Sequence, residues 1–428
     1  MDPVVEIHFK QIASSTSFQK IYISSSIFSA VPQDIVRTSK ELQSQKSRAR
    51  LLKLFSAQGN FTKLHQAVEQ CLVENGDGIK ATRLGGCNLR LQYPNGTENS
   101  WVYRRPESGV QVQEAKSLSW DYNLCTLMKF WDKAKTRPAV VTQELFDCYL
   151  KEEIPMRILY HFVSRERCKD SEVCFQRVRR FLPEKQPFAP GQAGRCALVG
   201  NAASLISNVT FGEEIDAHDT VIRVNDARTG DKYVKWTGKK TTFRFVNERV
   251  TKSLLPFITK TPIMNETIVL RRALGGSTLK QLKAGSMGNA IHVSPMTEEG
   301  SGLEADHLLG YSSGFLALNF AFSVCKSVDI YGFSIDPGPQ PSWQRYFSGP
   351  KFGHMPLTNK AYFLLLECLQ VVRLKSAEHI LNGRKTTLPA AEVTQYLHNV
   401  TTTYEEEKGV KEDPIEHCHY HTVASSTY

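Results

Sequence analysis

Between Arg195 and Phe333 the chain alternates short apolar runs ending in glycine or asparagine with segments long enough to hold a helix. This alternation constrains the fold more than any other feature. Cys196-Ala-Leu-Val-Gly is a short apolar run that stops at glycine, Thr220-Val-Ile-Arg-Val alternates like a half-buried strand, and Thr241-Thr-Phe-Arg-Phe-Val repeats the pattern. Ile268-Val-Leu and Ala290-Ile-His-Val are strand-like, and Ser327-Val-Asp-Ile-Tyr-Gly-Phe is the clearest strand in the chain. Between them, Gly314 to Cys325 carries Leu316, Leu318, Phe320, Ala321 and Val324 at helix-compatible spacing. Strands alternating with helices pair in parallel and bury both faces of their sheet. The expected fold is a single Rossmann-like α/β/α sandwich with a mostly parallel sheet. No period of repeat-protein length recurs, which excludes a solenoid.

The flanks are less patterned. Residues 1–58 lack a strand pattern and read as a stem-like, poorly ordered segment with a surface helix over Lys40 to Phe55. Their most apolar stretch, Ile21 to Val31, falls short of the roughly 18 residues a spanning helix needs, so no anchor is visible. Residues 59–382 are expected to form the main domain, its core about 191–370, and 383–428 a C-terminal tail. At its start a helix is expected through Leu64, Val68 and Leu72, followed by an irregular region anchored by Trp101, Trp120 and Trp131. Three prolines between Leu182 and Gly191 predict an extended lead into the first core strand. The tail run His417-Cys-His-Tyr-His421 has metal-like composition, but its polar setting favours a solvated segment.

A formal charge of +10 implies an acidic ligand or surface without choosing one. The basic clusters Lys46 to Arg50, Arg177 to Arg180 and Lys232 to Lys240 show no interleaved aromatic platform, which argues against nucleic acid as a partner. Ten cysteines without a CxxC pair disfavour a zinc ribbon. Cys168 and Cys174 could pair across a short loop, while the remaining cysteines could be free and buried. Sequons at Asn60, Asn95, Asn208, Asn265 and Asn399 are compatible with passage through the secretory lumen. Glu213, Glu214, Asp216 and Asp219 do not form the DxD arrangement of a metal-dependent transferase, so no metal is predicted.

Three segments could carry chemistry. The turn Gly200-Asn201 follows a strand and precedes a probable helix start, where backbone N–H groups can face a nucleotide, although the dinucleotide fingerprint is absent. By itself such a glycine is only a tight bend. Asn225 ends the next strand, beside Asn201 if the two strands pair; two carboxamides there could donate to ribose or phosphate oxygens, whereas the plainer reading makes Asn225 a turn cap. Tyr311-Ser-Ser-Gly-Phe315 opens the apolar helix, and its small residues either admit a phosphate or simply cap the helix.

In this order, Cys196 to Val246 resembles the long motif of the sialyltransferases, glycosyltransferase family 29, and Ser312 to Phe333 resembles their short motif. The likeness runs over roughly Arg195 to Leu369. It is especially close to the plant sialyltransferase-like proteins through Asp336-Pro-Gly, Trp343-Gln-Arg-Tyr-Phe-Ser and Gly353-His-Met-Pro-Leu. The resemblance implies a GT-A-like variant of the sandwich with a helical or irregular N-terminal extension. It implies an inverting, metal-independent transfer of sialic acid, or a related acid such as Kdo, from a CMP-activated donor to a glycan hydroxyl. His354 matches the general base, a sensible role for an imidazole of pKa ~6.5. Gly200, Asn201, Asn225, Ser313, Gly314, Ser334 and Arg345 match donor contacts, and Cys196 and Cys325 match a structural disulfide. The implied partners are the nucleotide-sugar donor, a glycoprotein or polysaccharide acceptor and the Golgi membrane, with residence in the Golgi and no cofactor beyond the CMP-sugar co-substrate. Tyr311 also departs from the pattern, and the changes at Ala202, Arg345 and Asn359 leave a catalytically inactive nucleotide- or glycan-binding member as the alternative.

Overall fold

The computed structural model describes residues 65–66, 68–73, 78–95, 119–152, 176, 178–230, 232–247, 250–251, 266–271, 291–295, 313–333, 346, 356–377 and 417–418, with two short strands near the start. The chain divides into Met1–Thr62 and Lys63–Tyr428. In the first unit, β1 (Val5–Glu6) pairs antiparallel with β2 (Tyr22–Ile23). The other expectations for residues 1–58 lie outside the described residues.

In the second unit, a meander of β3 (Lys80–Gly85), β4 (Asn88–Gln92) and β5 (Ser119–Asn123) forms an antiparallel sheet. It leads into α1 (Leu124–Ala134) and α2 (Gln143–Lys151), the latter capped by the Thr142 hydroxyl, which accepts from the Leu145 N–H. The region expected to be irregular is therefore regular on both sides of residues 96–118. Trp131 is buried on α1 and Trp120 half-buried on β5, while Trp101 lies outside the described residues.

The main sheet consists of β6 (Arg195–Val199), β7 (Thr220–Val224), β8 (Phe243–Val246), β9 (Thr267–Leu270), β10 (Ile291–Val293), β11 (Ser327–Tyr331) and β12 (Arg373–Lys375). Its order is β10-β9-β8-β7-β6-β11-β12, and all the pairings are parallel. The chain winds outward from β6 to β10 and returns to place β11 on the other side of β6. The short helices α3 (Gly212–Asp216) and α4 (Val234–Thr237) lie in the early crossovers. α5 (Ser313–Val324) crosses back before β11, and α6 (Pro356–Cys368) precedes β12.

The layers explain the composition of α5, which is buried all round apart from half-buried Gly314. It lies between the sheet and α1: Trp131 meets Phe315 and Phe322 at ring distances of 5.5 and 5.1 Å and donates its indole N–H to the Tyr362 hydroxyl of α6 at 3.0 Å. A helix apolar on every face needs cover on every face. On the opposite face of the sheet, Val199, Val221 and Tyr331 pack with Leu205, Phe211 and Ile215 of the β6–β7 crossover.

Several local expectations change. Thr220–Val224 is not half-buried: all five residues are buried, Arg223 completely, because parallel strands are covered on both faces. The proline-rich lead into β6 runs through bends and turns, with Gly191 and Gly194 at φ of 73° and 67°. There the Gln186 side chain accepts from Val140 N–H and donates to Val140 C=O, holding the segment against the start of α2. Among the described residues no cysteine is free: Cys71 joins Cys368, Cys148 joins Cys418 and Cys196 joins Cys325. Cys418 is fully buried, so the tail reading fails at that residue. Cys168 and Cys174 lie outside the described residues. The acidic run is structural: Asp216 accepts the N–H groups of Lys239 and Lys240, Asp219 accepts the Arg195 N–H, and Glu214 accepts from Tyr331 and Lys375.

Candidate functional site

In an open parallel sheet, the loops leaving the strand ends diverge where the winding direction reverses, opening a crevice at their carboxyl ends. Here the reversal falls between β6 and β11. Gly200 and Gly332 follow these strands directly, and their backbones approach so closely that a Cβ on Gly200 would strike the Gly332 carbonyl oxygen. The Gly200 N–H donates to Tyr331 C=O at 2.7 Å, and the Ala202 N–H donates to Gly332 C=O at 3.0 Å. Gly332 itself has φ 68°, a conformation open to glycine at little cost.

Phe333 gives the glycines their function. A Cβ on Gly314 would lie 2.6 Å from its Cε1, and one on Gly200 would lie 2.8 Å from its Cδ2. The two expected donor-contacting glycines thus flank one aromatic ring, which also meets Phe363 of α6 at 5.1 Å. Ser313 begins α5 beside them and is buried.

Each carboxamide commits one of its two polar atoms to the structure. Asn201 donates Nδ2 to Val224 C=O at 2.9 Å, so its Oδ1 is the atom left over: buried, with no hydrogen-bond partner among the described residues. Asn201 therefore keeps an acceptor beside the second hydrogen of its Nδ2. Asn225 does the reverse. Its Oδ1 accepts the Asn247 N–H at 3.0 Å, its own N–H donates to Phe245 C=O, and its φ of 56° is left-handed. Asparagine tolerates that conformation better than most residues. Asn225 is thus a turn cap whose Nδ2 has no partner among the described residues and is left to donate.

Arginines and a tyrosine hold the rim. Arg244 pairs with Glu266 at 2.6 Å and donates Nη1 to the carbonyls of Asn225 and Ala227. Tyr346, which the sequence reading passes over beside Arg345, donates its N–H to Asn201 C=O at 3.3 Å. Its hydroxyl both accepts from Arg228 N–H and donates to Arg228 C=O, at 2.7 Å each. It ties the Asn201 turn to the loop after Asn225, and burial pushes its phenol up to about 12. Arg223 donates to the carbonyls of Thr237 and Lys240, fastening the β7–β8 crossover. Burial lowers its guanidinium to about 10, and Nη1 has no partner among the described residues. The segment at 232–240 does interleave aromatics with cations: Lys235 lies 3.9 Å over Trp236 and Lys232 lies 5.6 Å over Tyr233.

The structure therefore brings Gly200, Asn201, Asn225, Ser313 and Gly314 to one end of the sheet. Cys196 and Cys325 bond behind them, joining the start of β6 to the end of α5. His354, Ser334 and Arg345 lie outside the described residues. Among the described residues no group of three or more His, Cys, Asp or Glu is arranged to hold a metal ion, and no helix is long and apolar enough to cross a membrane.

A model of glycosyltransferase family 29 (sialyltransferase) matches residues 151–299. Sialyltransferase-like protein 1 of Arabidopsis thaliana is 32% identical over 338 residues, covering 78% of this chain and 66% of that protein. Sialyltransferase-like protein 2 of the same plant is 31% identical over 317 residues, covering 73% of this chain and 68% of that protein. The CMP-N-acetylneuraminate-beta-galactosamide-alpha-2,3-sialyltransferase 2 of Mus musculus is 25% identical over 192 residues, covering 41% of this chain and 54% of that protein. The chain spans about two thirds of the length of the two plant proteins.

Proposed function

The chain belongs to glycosyltransferase family 29, the sialyltransferases, and from that membership we propose that it transfers sialic acid or a related acid such as Kdo from a CMP-activated donor to a glycan hydroxyl. The observation that carries this reading is the reversal of strand order at β6/β11, with a carboxamide acceptor and a carboxamide donor without partners among the described residues on adjacent strand ends. Asn201 Oδ1 suits a ribose hydroxyl, and Asn225 Nδ2 suits an oxygen of the nucleotide. The first turn of α5, at Ser313 and Gly314, adds backbone N–H groups and the positive end of a helix dipole, a fit for phosphate.

In this mechanism His354 takes the proton of the acceptor hydroxyl as its oxygen attacks the anomeric carbon from the face opposite the nucleotide. The new glycosidic bond forms as the bond to phosphate breaks, so configuration inverts and CMP leaves as the anion. Arg345 and Ser334 complete the donor site. A guanidinium supplies permanent charge to the leaving phosphate, and helix and backbone N–H groups stabilise it without a cofactor or metal. The reaction belongs in the Golgi lumen, on a glycoprotein or polysaccharide acceptor. The disulfides Cys71–Cys368, Cys148–Cys418 and Cys196–Cys325 suit that oxidising compartment.

The test is a thermal-shift screen of the purified chain against CMP, CMP-sialic acid, CMP-Kdo and other nucleotide sugars, since a ligand that binds only the folded state raises the melting temperature. A CMP-sugar should shift it. Transfer to an acceptor panel should vanish in His354→Ala while CMP still binds. Failure of every cytidine nucleotide to bind would sink the proposal. Binding with no transfer in the unsubstituted protein would instead identify an inactive member, the reading that Asn359 and Ala202 favour.

A further inference from the structure

We propose that Asn208 is an acceptor site for an N-linked glycan. Of the five sequons, Asn208-Val-Thr210 lies wholly within the described residues. Asn208 and Thr210 are both exposed, whereas the Val209 between them packs against the core cluster of the β6–β7 crossover. The apolar residue thus anchors the segment and leaves the amide and the hydroxyl two residues on presented to solvent, the pair that defines a sequon. The bend is secured on both sides: the Ser207 hydroxyl accepts from Val209 N–H and donates to Val209 C=O, and the Ser207 carbonyl accepts the Trp236 indole N–H at 2.8 Å. None of these bonds uses the Asn208 side chain.

A second observation supplies the compartment. Disulfides closing separations of 297, 270 and 129 residues persist in an oxidising lumen, where N-glycosylation also takes place. The co-reactant is an oligosaccharide carried on a lipid pyrophosphate. Asn208 Nδ2 forms the bond to the first sugar's anomeric carbon, the sugar–phosphate bond breaks, the lipid pyrophosphate departs with its electron pair, and one amide proton is lost to base.

The full chain, secreted from eukaryotic cells behind a cleavable signal sequence, should yield a peptide spanning residues 208–210 that carries a glycan removable by an amidase. Asn208→Gln and Thr210→Ala should each remove the same single glycan step on a gel, while Thr210→Ser keeps it. Recovery of that peptide wholly unmodified, from cells that glycosylate a co-expressed control protein, would overturn the proposal. Occupancy is read on the unsubstituted protein, so poor secretion of a variant does not hide the answer. CMP binding in the same preparation reads the transferase proposal separately.

Discussion

Two regions of the main sheet treat their polar groups in opposite ways. Near the β11–β12 edge the charges are paired: Asp329 accepts from His218 at 3.0 Å and from Arg373 at 2.5 Å, and Glu214 accepts from Tyr331 at 2.9 Å and from Lys375 at 2.8 Å. At the carboxyl ends of β6 and β7 the groups are neutral amides, and they are left half used. A buried charge without compensation costs far more than a buried neutral acceptor without a partner, which costs about 1–3 kcal/mol. The paired region should report on stability and the half-used region on binding.

The strongest way to break this contrast is to remove what backs the rim. Replacing Cys196 and Cys325 together by serine opens a loop of 129 residues and should cost about 5 kcal/mol by chain entropy. Denaturant titration measures it, and a loss below about 1 kcal/mol would mean that the rim does not depend on the clamp. Next comes Asp329→Asn, which strips the buried His218 of its carboxylate and should cost about 3 kcal/mol at neutral pH without changing CMP affinity.

The same residue predicts a pH dependence. Burial pushes the Asp329 carboxyl up, but the His218 hydrogen bond and the Arg373 charge outweigh it, so the net shift is downward. A lowered folded-state value means that the stabilisation is present above the unfolded pKa of ~3.9 and is lost as pH falls through the folded value. Melting temperature followed from neutral pH to below ~4 should fall in the unsubstituted protein and fall less steeply in Asp329→Asn. Parallel curves would contradict the pairing.

Smaller effects sharpen the rim. At Asn225, glycine keeps the left-handed backbone and removes the carboxamide, so Asn225→Gly should weaken CMP binding and cost about 1 kcal/mol for the lost Asn247 bond. Asn225→Ala should lose a further 1–2 kcal/mol or so from the strained φ; equal stability in the two variants would deny the strain. Asn201→Ala loses one bond to Val224 and should cost about 1 kcal/mol in stability. By calorimetry it should also lose about tenfold in CMP affinity, or ~1.4 kcal/mol. Unchanged affinity would remove Asn201 Oδ1 from the donor site.

The apolar runs at β6 to β11 and the helix at Ser313–Val324 are legible in the sequence, because β-branched and apolar residues bounded by glycine carry their own local preference. The edge strand Arg373–Lys375 is not, since three residues with one buried side chain hold no period to detect. At the site, Gly200, Asn201, Asn225, Ser313 and Gly314 can be named from their motifs, but not their division of labour. Gly200 and Gly314 make room for Phe333, and Asn201 and Asn225 present opposite ends of their amides. Tyr346 could have been found only as the neighbour of Arg345 in a motif with no stated role for it.

What the residues determine alone is local: where strands stop, where the chain turns at glycine, and which helix must be covered on all sides. Strand order was decided by the tertiary structure, as were the bonding of Cys71 to Cys368 and of Cys148 to Cys418, and the amide oxygen that goes without a donor. The reason is that a hydrogen bond, a disulfide or an unmet acceptor is a property of two positions. When the partner lies 270 or 297 residues away, no window of sequence contains both.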